Sequence, residues 1–434
     1  MSNLKKKKLL LLGSNVGTLD IIRYAKNKGV HVIVTDNLTV EDSIGKQYAD
    51  EHIFISTGDI EGLKRYIIEK EVDSVFAGIS EFNLLKAMEL CEYFDFPFYC
   101  TRQQWDLVEN KESFRKLCQD FDVPCPVTFF SGEYPSEVLM SSIPFPVVVK
   151  PVDSCASMGV SICRDLDELR IAVPYAREKS GIGRIIIEDF FEGDEFSAHY
   201  SVINGEVTLS CVDNRIPIAL HEGCVTTVPL ARIYPSDFVD EYVSQVNENI
   251  SMMIRSLGLH TGVFFVQGIY NRRSNRFSIF EAGLRCAGEA PYRFLKKVNG
   301  VSFMDHLVDY ALSCPSPAMS KDDPYLKGKH CCVTSFVSKG GKIGKIVGYE
   351  ETISRIGSLV DSECRYRPGD IVPNGDTLRQ IVMRFVLVCD TIEEMAADIK
   401  EINRSIQVLD VEGKDMCFRF EADRYLITTD DWRS

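Results

Sequence analysis

The sequence lacks the features that mark secreted, membrane-spanning or nucleic-acid-binding proteins. Its apolar run Leu9–Leu12 is too short for a signal peptide or a membrane span. None of its fifteen cysteines forms a C-x-x-C pair, which argues against a zinc ribbon or a thioredoxin-like centre. The formal net charge of −14 leaves no basic surplus for nucleic acid, and the short run Lys5–Lys8 leads directly into a strand. These absences favour a cytoplasmic protein with reduced thiols and with neither nucleic acid nor membrane among its partners.

The first hundred of the 434 residues alternate between short apolar strands and helices. The pattern predicts strands at Leu9–Leu12, His31–Thr35, His52–Ile55 and Ser74–Ala77, and helices over Leu19–Lys28, Ile60–Glu69 and Glu81–Phe94. Such alternation is typical of a parallel, doubly wound sheet. The turn Gly13–Gly17 lacks the G-x-G-x-x-G spacing, so it is either a structural turn or a substrate contact.

The strand–helix alternation ends near Asn110, which can cap a following helix. The apolar face of that helix would comprise Phe114, Leu117, Cys118 and Phe121. Farther along, one long helix is predicted from Val239 to Leu257. A hairpin of the strands Gly262–Tyr270 and Arg276–Ala282 follows it, at the edge of a cleft.

The tail reads as a small α+β unit after a Pro-, Ser- and Asp-rich boundary at Pro315–Pro324. Its predicted elements are the strands Cys331–Ser338 and Lys345–Tyr349 around a turn, and the helix Thr391–Ile406. The sequence thus predicts an α/β and α+β multidomain chain, divided at 1–110, 111–315 and 316–434.

The segment around Lys150 carries the strongest local signal for function. The predicted buried strand Pro146–Lys150 delivers this lysine, and a loop of small residues follows from Asp153 to Val160. Small residues allow backbone N–H groups to approach phosphate oxygens, and the lysine supplies a positive charge. A lysine at a strand end can be a plain surface charge, but the loop beside it favours phosphate binding. Cys155 within the loop is expected to fill space.

A second signal runs from Arg184 to Glu195, where a strand leads into an acidic turn and a second strand departs. In an adenine pocket, backbone groups after such a strand can pair with the purine edge. A carboxylate seven residues beyond Glu188 can accept the ribose hydroxyls. An ordinary acidic hairpin explains this segment equally well.

The third signal lies on the predicted hairpin, where Gln267 and Glu281 each present an oxygen toward one cleft. Magnesium prefers oxygen ligands and normally keeps phosphates in its shell. Arg285 can hold a transferring phosphoryl group or an acyl phosphate. The alternative is that Glu281 and Arg285 only belong to a solvated strand edge. The metal–nucleotide interpretation is favoured because Lys150 and Glu188 precede them in the expected order along the chain.

With these motifs in this order, the chain resembles the ATP-grasp superfamily, specifically its carboxylate–amine ligases. The chain is similar to members of this superfamily such as L-amino-acid ligases, phosphoribosylglycinamide synthetase, biotin carboxylase and the ATP-grasp domains of carbamoyl-phosphate synthetase. The resemblance spans nearly the whole chain. It implies a Rossmann-like N-terminal domain, an ATP-grasp fold in two parts and a small C-terminal α+β domain. It also implies ATP and Mg²⁺ as cofactors, with Mn²⁺ able to substitute.

Carried over by position, the resemblance assigns roles to individual residues. The implied ATP-binding residues are Lys111, Lys150, Ser154, Ser157, Gly159, Glu188, Asp189, Phe190, Phe191 and Glu195. Among them, Glu188–Phe191 would pair with adenine and Glu195 with the ribose. Gln267 and Glu281 are implied as metal ligands, and Arg285 and Lys150 as catalytic residues.

Two positions depart from the family pattern. Gln267 stands where the first metal ligand is often acidic, although carbamoyl-phosphate synthetase resembles this chain in that choice. Gly283 stands where the family has asparagine, so that position offers no side chain to a second metal ion. The departure is expected to affect catalytic rate more than ATP binding.

The implied reaction is the ATP-dependent activation of a small carboxylate as an acyl phosphate, followed by attack of an amine. Homodimer formation is an open expectation. One alternative is an enzyme similar to phosphoribosylglycinamide or carbamoyl-phosphate synthetase acting on another small metabolite. Another alternative is an ATP-binding regulatory protein without turnover. A nicotinamide dehydrogenase is the alternative with the least support. His199, His221 and His260 are expected to be structural or to line the substrate site, together with Arg215 and Arg293.

Overall fold

The computed structural model describes residues 7–154, 158–219, 227–300, 302–314, 322–375 and 377–423. Within these ranges, no helix is long and apolar enough to cross a membrane. The architecture is a mixed α/β and α+β arrangement of several sheets, as the sequence predicts.

The leading part of the chain is a four-stranded parallel sheet in the order β3-β2-β1-β4. Its elements are β1 (Lys8–Leu12), α1 (Thr18–Asn27), β2 (His31–Thr35), α2 (Ile44–Tyr48), β3 (Glu51–Ile53), α3 (Ile60–Lys70), β4 (Ser74–Ala77) and α4 (Glu81–Phe94). Leu9–Leu12 are fully buried, as expected for a strand covered on both faces. Gly13 and Gly17 have φ values of +79° and +88°, so the turn after β1 uses conformations that favour glycine.

Two helices connect this sheet to the middle of the chain. They are α5 (Arg102–Glu109) and α6 (Lys111–Asp120). The carbonyl oxygen of the Asn110 side chain accepts hydrogen bonds from the N–H groups of Glu112 and Ser113 at 3.0 and 3.1 Å, so the predicted cap of α6 is confirmed. The helix α5 was not predicted.

A small antiparallel sheet follows, in the order β5-β8-β6-β7. Its elements are β5 (Thr128–Gly132), α7 (Glu137–Ser142), β6 (Val147–Pro151), β7 (Ser161–Cys163), α8 (Leu166–Lys179) and β8 (Ile185–Asp189). Alternation along β6 and β8 sends Val147, Val149, Ile185 and Ile187 into a core of their own. Lys150 and Glu188 therefore lie on the opposite face of this sheet.

The next segment contributes to two sheets. Its elements are β9 (Asp194–Ile203), β10 (Glu206–Val212), β11 (Asn214–Ile218), β12 (Val228–Tyr234), α9 (Val239–Gln245), α10 (Asn247–Ser256), β13 (Thr261–Asn271), β14 (Arg276–Gly283), α11 (Tyr292–Asn299) and α12 (Phe303–Ala311). The sheet β10-β9-β13-β14 is antiparallel, and β13 with β14 forms the predicted hairpin. One hydrophobic core joins this sheet and its helices to the leading sheet.

The tail completes a second, larger sheet. Its elements are β15 (His330–Ser338), β16 (Gly341–Val347), α13 (Tyr349–Ile353), β17 (Leu359–Cys364), β18 (Ile371–Val372), β19 (Ile381–Cys389), α14 (Ile392–Ser405), β20 (Gln407–Asp410) and β21 (Cys417–Phe418). The main path is β11-β12-β15-β19-β17, with β21 on β15, and a smaller sheet has the order β18-β16-β20. Strands from both sides of residue 315 thus share one sheet, and the domain bounds given above stay a prediction.

Two predicted elements are wrong in part. The long helix from Val239 to Leu257 is interrupted at Val246, whose φ of −129° is not helical. Because buried apolar residues continue on both sides of the break, the sequence pattern could not reveal it. The predicted strand Lys345–Tyr349 is displaced, since β16 ends at Val347 and Tyr349 begins a helix. Moreover, β15 and β16 pair with other strands rather than with each other.

Candidate active site

A buried ion cluster lies on the polar face of the small sheet. The Lys150 Nζ is 2.6 Å from the Glu188 Oε2, and both side chains are almost wholly buried. Arg115 of α6 binds the same carboxylate through its Nε, and its Nη2 lies 3.1 Å from Oε2. The Nη2 of Arg115 also donates to the carbonyl oxygen of Phe280 at 2.8 Å. This arginine therefore joins α6 and the small sheet to β14.

Positive charge exceeds negative charge in this cluster. The pKa of Lys150 is lowered to about 8: burial is the largest cause, Arg115 and Lys111 act in the same direction, and Glu188 opposes them. Burial would raise the pKa of Glu188, but Lys150 and Arg115 outweigh it, so the net shift is downward and the carboxylate stays ionised. A pocket in which several cations share one carboxylate is suited to bind an anion.

Lys111 lies at the start of α6, beside the loop that follows β6. Its Nζ donates to the carbonyl oxygen of Ser154 at 2.7 Å, and its backbone N–H bonds the carbonyl of Val152. The Ser154 hydroxyl donates to the carbonyl oxygen of Met158 at 2.7 Å. The structure thus brings Lys111 and Ser154 together, whereas Cys155 and Ser157 lie outside the described residues.

Gly159 closes this loop in a backbone conformation that favours glycine. Its φ is +78°, and a Cβ at this position would lie 2.7 Å from the Pro151 Cγ and 2.8 Å from the Lys179 Cβ. The glycine is therefore required by the turn and by the close approach of β6 and α8.

The predicted adenine-pairing segment begins at the end of β8. The N–H of Asp189 donates to the carbonyl of Val127, and the N–H of Phe190 donates to the carbonyl of Pro146. The N–H of Phe191 bonds no other described residue. The Glu188 side chain is engaged by Lys150 and Arg115, as described above. The Phe191 N–H is thus the backbone donor left for a ligand in this segment.

Glu195, the predicted ribose ligand, begins β9 together with Asp194. Its Oε2 lies 2.7 Å from the Arg215 Nη1, and 38% of its side chain is exposed. The Arg215 Nη1 also donates to the Thr227 hydroxyl at 2.7 Å. This arginine fixes the carboxylate while leaving part of it accessible to solvent.

Gln267 and Glu281 are direct partners across the β13–β14 hairpin. Residues in such register project from the same face of the sheet, so the structure brings these two oxygen-bearing side chains together. Glu281 forms no ion pair within 4 Å with any described residue. An amide oxygen beside an unpaired carboxylate is a donor set that fits a magnesium ion.

Arg285 lies two residues beyond β14 and points toward the leading sheet. Its Nη2 and Nε lie 2.6 and 3.1 Å from the Glu81 Oε1, at the start of α4. Burial would lower the pKa of Arg285, but Glu81 and Glu109 raise it, and the net shift is upward. The guanidinium therefore stays charged near Glu281.

Three charged site residues were not found from the sequence: Glu81, Glu109 and Arg115. Glu109 ends α5, and burial and the nearby Glu81 raise its pKa to about 8. Its Oε1 is shielded from solvent and accepts no hydrogen bond from the described residues. Only Arg115 had a usable signal, because it lies one helical turn after Lys111 on the buried side of α6.

A second buried polar group surrounds the loop after β14. The Arg232 Nη1 lies 2.5 Å from the Asp213 Oδ2 and 3.6 Å from the Glu289 Oε1, and the His199 Nε2 lies 3.4 Å from that same oxygen. In the described part of the chain, His199, Asp213 and Glu289 are the one group of three or more His, Cys, Asp or Glu side chains close enough to share a metal ion. Since the Arg232 guanidinium lies between the two carboxylates, this group is better suited to a salt-bridge network than to a metal.

Arg384 of β19 reaches the same loop from the tail sheet. Its Nη1 donates to the carbonyl oxygen of Gly288 at 2.6 Å. Burial lowers the pKa of Arg384 to about 10, and the nearby Arg365 adds to this shift. Within the described ranges, Arg384 has no carboxylate partner within 4 Å, and its Nε is buried without a hydrogen bond. A buried guanidinium in this condition can receive an anionic group.

The class of protein follows from this fold, this site and the comparisons with known proteins. Residues 143–291 match the sequence profile of the ATP-grasp domain. The matched range contains Lys150, Glu188, Gln267, Glu281 and Arg285. Over residues 143–291 the chain therefore contains an ATP-grasp domain, and this is the class of domain that the comparisons identify.

The relatives and structural neighbours agree with that class. The chain is 29% identical over 191 residues to the formate-dependent phosphoribosylglycinamide formyltransferase of Hydrogenovibrio crunogenus, over 43% of this chain and 48% of that protein. The chain thus spans about half the length of the curated relatives it matches. In fold it is similar to phosphoribosylglycinamide synthetase from Anaerococcus prevotii, with a TM-score of 0.73, 17% identity, 93% of this chain and 100% of that chain covered.

The second structural neighbour was solved with ligands bound. The biotin carboxylase domain dimer of 2-oxoglutarate carboxylase from Hydrogenobacter thermophilus, in complex with MgADP, ADP and bicarbonate, has a TM-score of 0.74. It shares 15% identity with this chain, and the match covers 93% of this chain and 90% of that chain. At these identities the two structural neighbours establish the fold.

Proposed function

We propose that this protein is an ATP- and magnesium-dependent ligase that activates a carboxylate as an acyl phosphate, joins it to an amine and releases ADP and phosphate. The observation that carries the proposal is the placement of Arg115. It binds Glu188 in the cation cluster and also the carbonyl of Phe280, the residue before Glu281. The anion-receptive cluster and the metal-ligand pair are thereby fixed relative to each other within one ATP-grasp domain.

In this proposal, Lys111 and Lys150 bind the ATP phosphates under the loop that contains Ser154, Ser157 and Gly159. The segment Glu188–Phe191 frames the adenine, with the free N–H of Phe191 as donor. Asp189 and Phe190 shape the segment through their backbone bonds. Glu195, held by Arg215, accepts the ribose hydroxyls.

Gln267 and Glu281 would hold the magnesium ion, which supplies charge neutralisation and orientation to the transferring phosphoryl group. Arg285 and Lys150 then stabilise the negative charge that develops on the phosphoryl oxygens. Arg285 is fixed by Glu81, so it is already oriented before the reaction. Positioning and charge account for this step, which needs no general base on the phosphate side.

The carboxylate substrate is proposed to bind beside the loop after β14. Arg384 there lacks a carboxylate partner among the described residues, and the Nε of the nearby Arg232 is also buried without a hydrogen bond. Both arginines lie in the sheet that the tail completes. The His199 Nε2 and the Glu289 Oε1 are 3.4 Å apart, the same Glu289 oxygen lies 3.6 Å from the Arg232 Nη1, and this pair would line the same pocket.

The matched relative suggests one specific substrate pair. Its name describes a formate-dependent phosphoribosylglycinamide formyltransferase, so formate and phosphoribosylglycinamide are the first carboxylate and amine to test. Because the match covers about half of that relative, pooled amino acids and other small carboxylates belong in the same screen.

The experiment is phosphate release from Mg-ATP in the presence of each carboxylate–amine pool. Lys150→Met removes the charge in a buried site, and Lys116→Met is the matched control, since Lys116 is exposed on α6. We expect phosphate release to require one particular carboxylate–amine pair. The rate of release should be at least a hundredfold slower in Lys150→Met and unchanged in Lys116→Met. ATP binding lost in Lys150→Met, without release from any pool in the wild type, would instead favour an ATP-binding regulatory protein.

Two properties of the whole protein belong to the same proposal. A cytoplasmic location is consistent with a small-molecule ligase whose described cysteines are all free thiols. A homodimer is suggested by the carboxylase neighbour, which was solved as a domain dimer.

A further inference from the structure

Position 283 is closed to a side chain. A Cβ built on Gly283 would lie 2.5 Å from the Phe265 Cε1 and 3.2 Å from the Glu109 Oε1. Phe265 is the cross-strand partner of Gly283 in the hairpin. The space next to this backbone is therefore filled by an aromatic ring and by a carboxylate oxygen from a distant helix.

That carboxylate oxygen lies on the same face of the hairpin as the metal ligands. Residues two apart in a strand project to the same side, so a side chain at 283 would share the face of Glu281. The Glu109 Oε1, within van der Waals reach of that Cβ position, is consequently on this face too.

Glu109 has no ion pair within 4 Å among the described residues, although the Leu284 N–H and the nearby Arg285 both lower the pKa of its carboxyl. Arg285 is engaged by Glu81 at 2.6 Å. Glu109 and Glu281 have no ion pair within 4 Å among the described residues, and the Glu109 Oε1 is buried without a hydrogen bond. Arg285 offsets part of the negative charge of Glu109 and Glu281, and a bound cation between two such carboxylates would offset the rest, because burying an unpaired charge is costly.

We propose that Glu109 is a third oxygen ligand of the nucleotide-bound metal site, acting together with Gln267 and Glu281. A carboxylate delivered from α5 would restore the negative charge that the amide of Gln267 lacks and the ligand that Gly283 cannot supply. The proposal rests on the proposed function and adds a specific residue to it.

The test measures metal binding directly rather than turnover. Free Mn²⁺ is quantified by electron paramagnetic resonance while the full-length protein is titrated with Mn²⁺ in the presence of AMP-PNP, a non-hydrolysable ATP analogue. The variants are Glu109→Gln, Glu109→Asp and the control Asp106→Asn, which neutralises an exposed carboxylate on the same helix. Glu281→Gln serves as a reference for loss of a ligand that the proposed function already includes.

We expect Glu109→Gln to weaken Mn²⁺ binding by tenfold or more, Glu109→Asp to weaken it less, and Asp106→Asn to leave it unchanged. Binding in Glu109→Gln that equals the wild type, while Glu281→Gln is impaired, would overturn the role of Glu109 and leave the proposed function standing. Failure of the wild type to bind Mn²⁺ with AMP-PNP would overturn both. A thermal unfolding midpoint for each variant separates ligand loss from misfolding.

Discussion

Lys150 is the residue whose environment determines how the site responds to pH. Its pKa of about 8 means that the ammonium form is lost as the pH rises through 8, well below the usual range for lysine. In the proposed function the phosphate groups of ATP bind the charged form of Lys150, so bound nucleotide would raise this pKa. Affinity is therefore full below pH 8 and declines above it.

We predict that ATP affinity, measured by isothermal titration calorimetry between pH 6.5 and 9.5, falls by roughly tenfold per pH unit above pH 8. The Lys150→Arg variant should show a flat profile, because a guanidinium keeps its charge throughout this range. An equal decline in Lys150→Arg, or no decline in the wild type, would contradict the assignment of Lys150 to the phosphates.

Gly283 provides a second test at the scale of one residue. Restoring an asparagine there would place a Cβ 2.5 Å from the Phe265 ring. We predict that Gly283→Asn destabilises the protein by about 1–3 kcal/mol, as overpacking does, and gives no gain in metal affinity. Urea unfolding and the Mn²⁺ titration measure the two effects. Higher stability together with tighter Mn²⁺ binding would show that the site accepts the family pattern after all.

The positions of candidate site residues could be predicted from the sequence where a local pattern marks them, and their roles stay a prediction. Lys150 has its strand and loop, and Glu281 has its hairpin. The partners that complete the site could not be found in this way, because each is distant in the chain. Arg285 meets Glu81 across 204 positions, and Arg115 meets Glu188 across 73. Such pairs follow only from the tertiary arrangement of the sheets.

At the scale of elements, α6 carries two of the cations to which the proposed function assigns a part in nucleotide binding. It begins with Lys111, carries Arg115 one turn later and is capped by Asn110. Loss of this cap would loosen the first turn, which is the turn that holds Lys111 against the Ser154 carbonyl. The cap is thus expected to matter for ligand affinity as well as for stability.

We predict that Asn110→Ala costs about 1 kcal/mol of stability and weakens ATP binding by up to roughly fivefold. Ser136→Ala is the matched control, because Ser136 caps α7 in the same manner away from the cation cluster. It should lower stability similarly and leave ATP affinity unchanged. Equal loss of affinity in both variants would point to general destabilisation rather than to the placement of Lys111.

The elements themselves were predicted unevenly. Strands and helices of the leading sheet, such as β2, β4 and α4, have the predicted bounds, because buried strands and capped amphipathic helices leave clear local patterns. The break at Val246 and the helix α5 were missed. The first has continuous apolar periodicity across it, and the second is a short helix marked mainly by the capping box of Thr101 and Gln104.

At the scale of the whole molecule, three regions with separate cores surround the site. The leading sheet and the β13–β14 sheet share one core, the small sheet has its own, and the tail sheet has a third. Arg293 connects the first and third of these regions, since its Nε lies 3.0 Å from the Asp20 Oδ2 and its Nη1 binds Asp361 of the tail. Pairing of β12 with β15 across the chain could not be predicted, because strand neighbours far apart in sequence leave no local signal.

The central claim is that a carboxylate oxygen attacks the terminal phosphate of ATP. The most direct measurement is transfer of ¹⁸O from a labelled carboxylate to the released phosphate, followed by mass spectrometry, with the carboxylate and amine found in the release screen. The account predicts one ¹⁸O atom in each phosphate and ADP as the nucleotide product, both abolished in Lys150→Met. Unlabelled phosphate, or AMP in place of ADP, would contradict it.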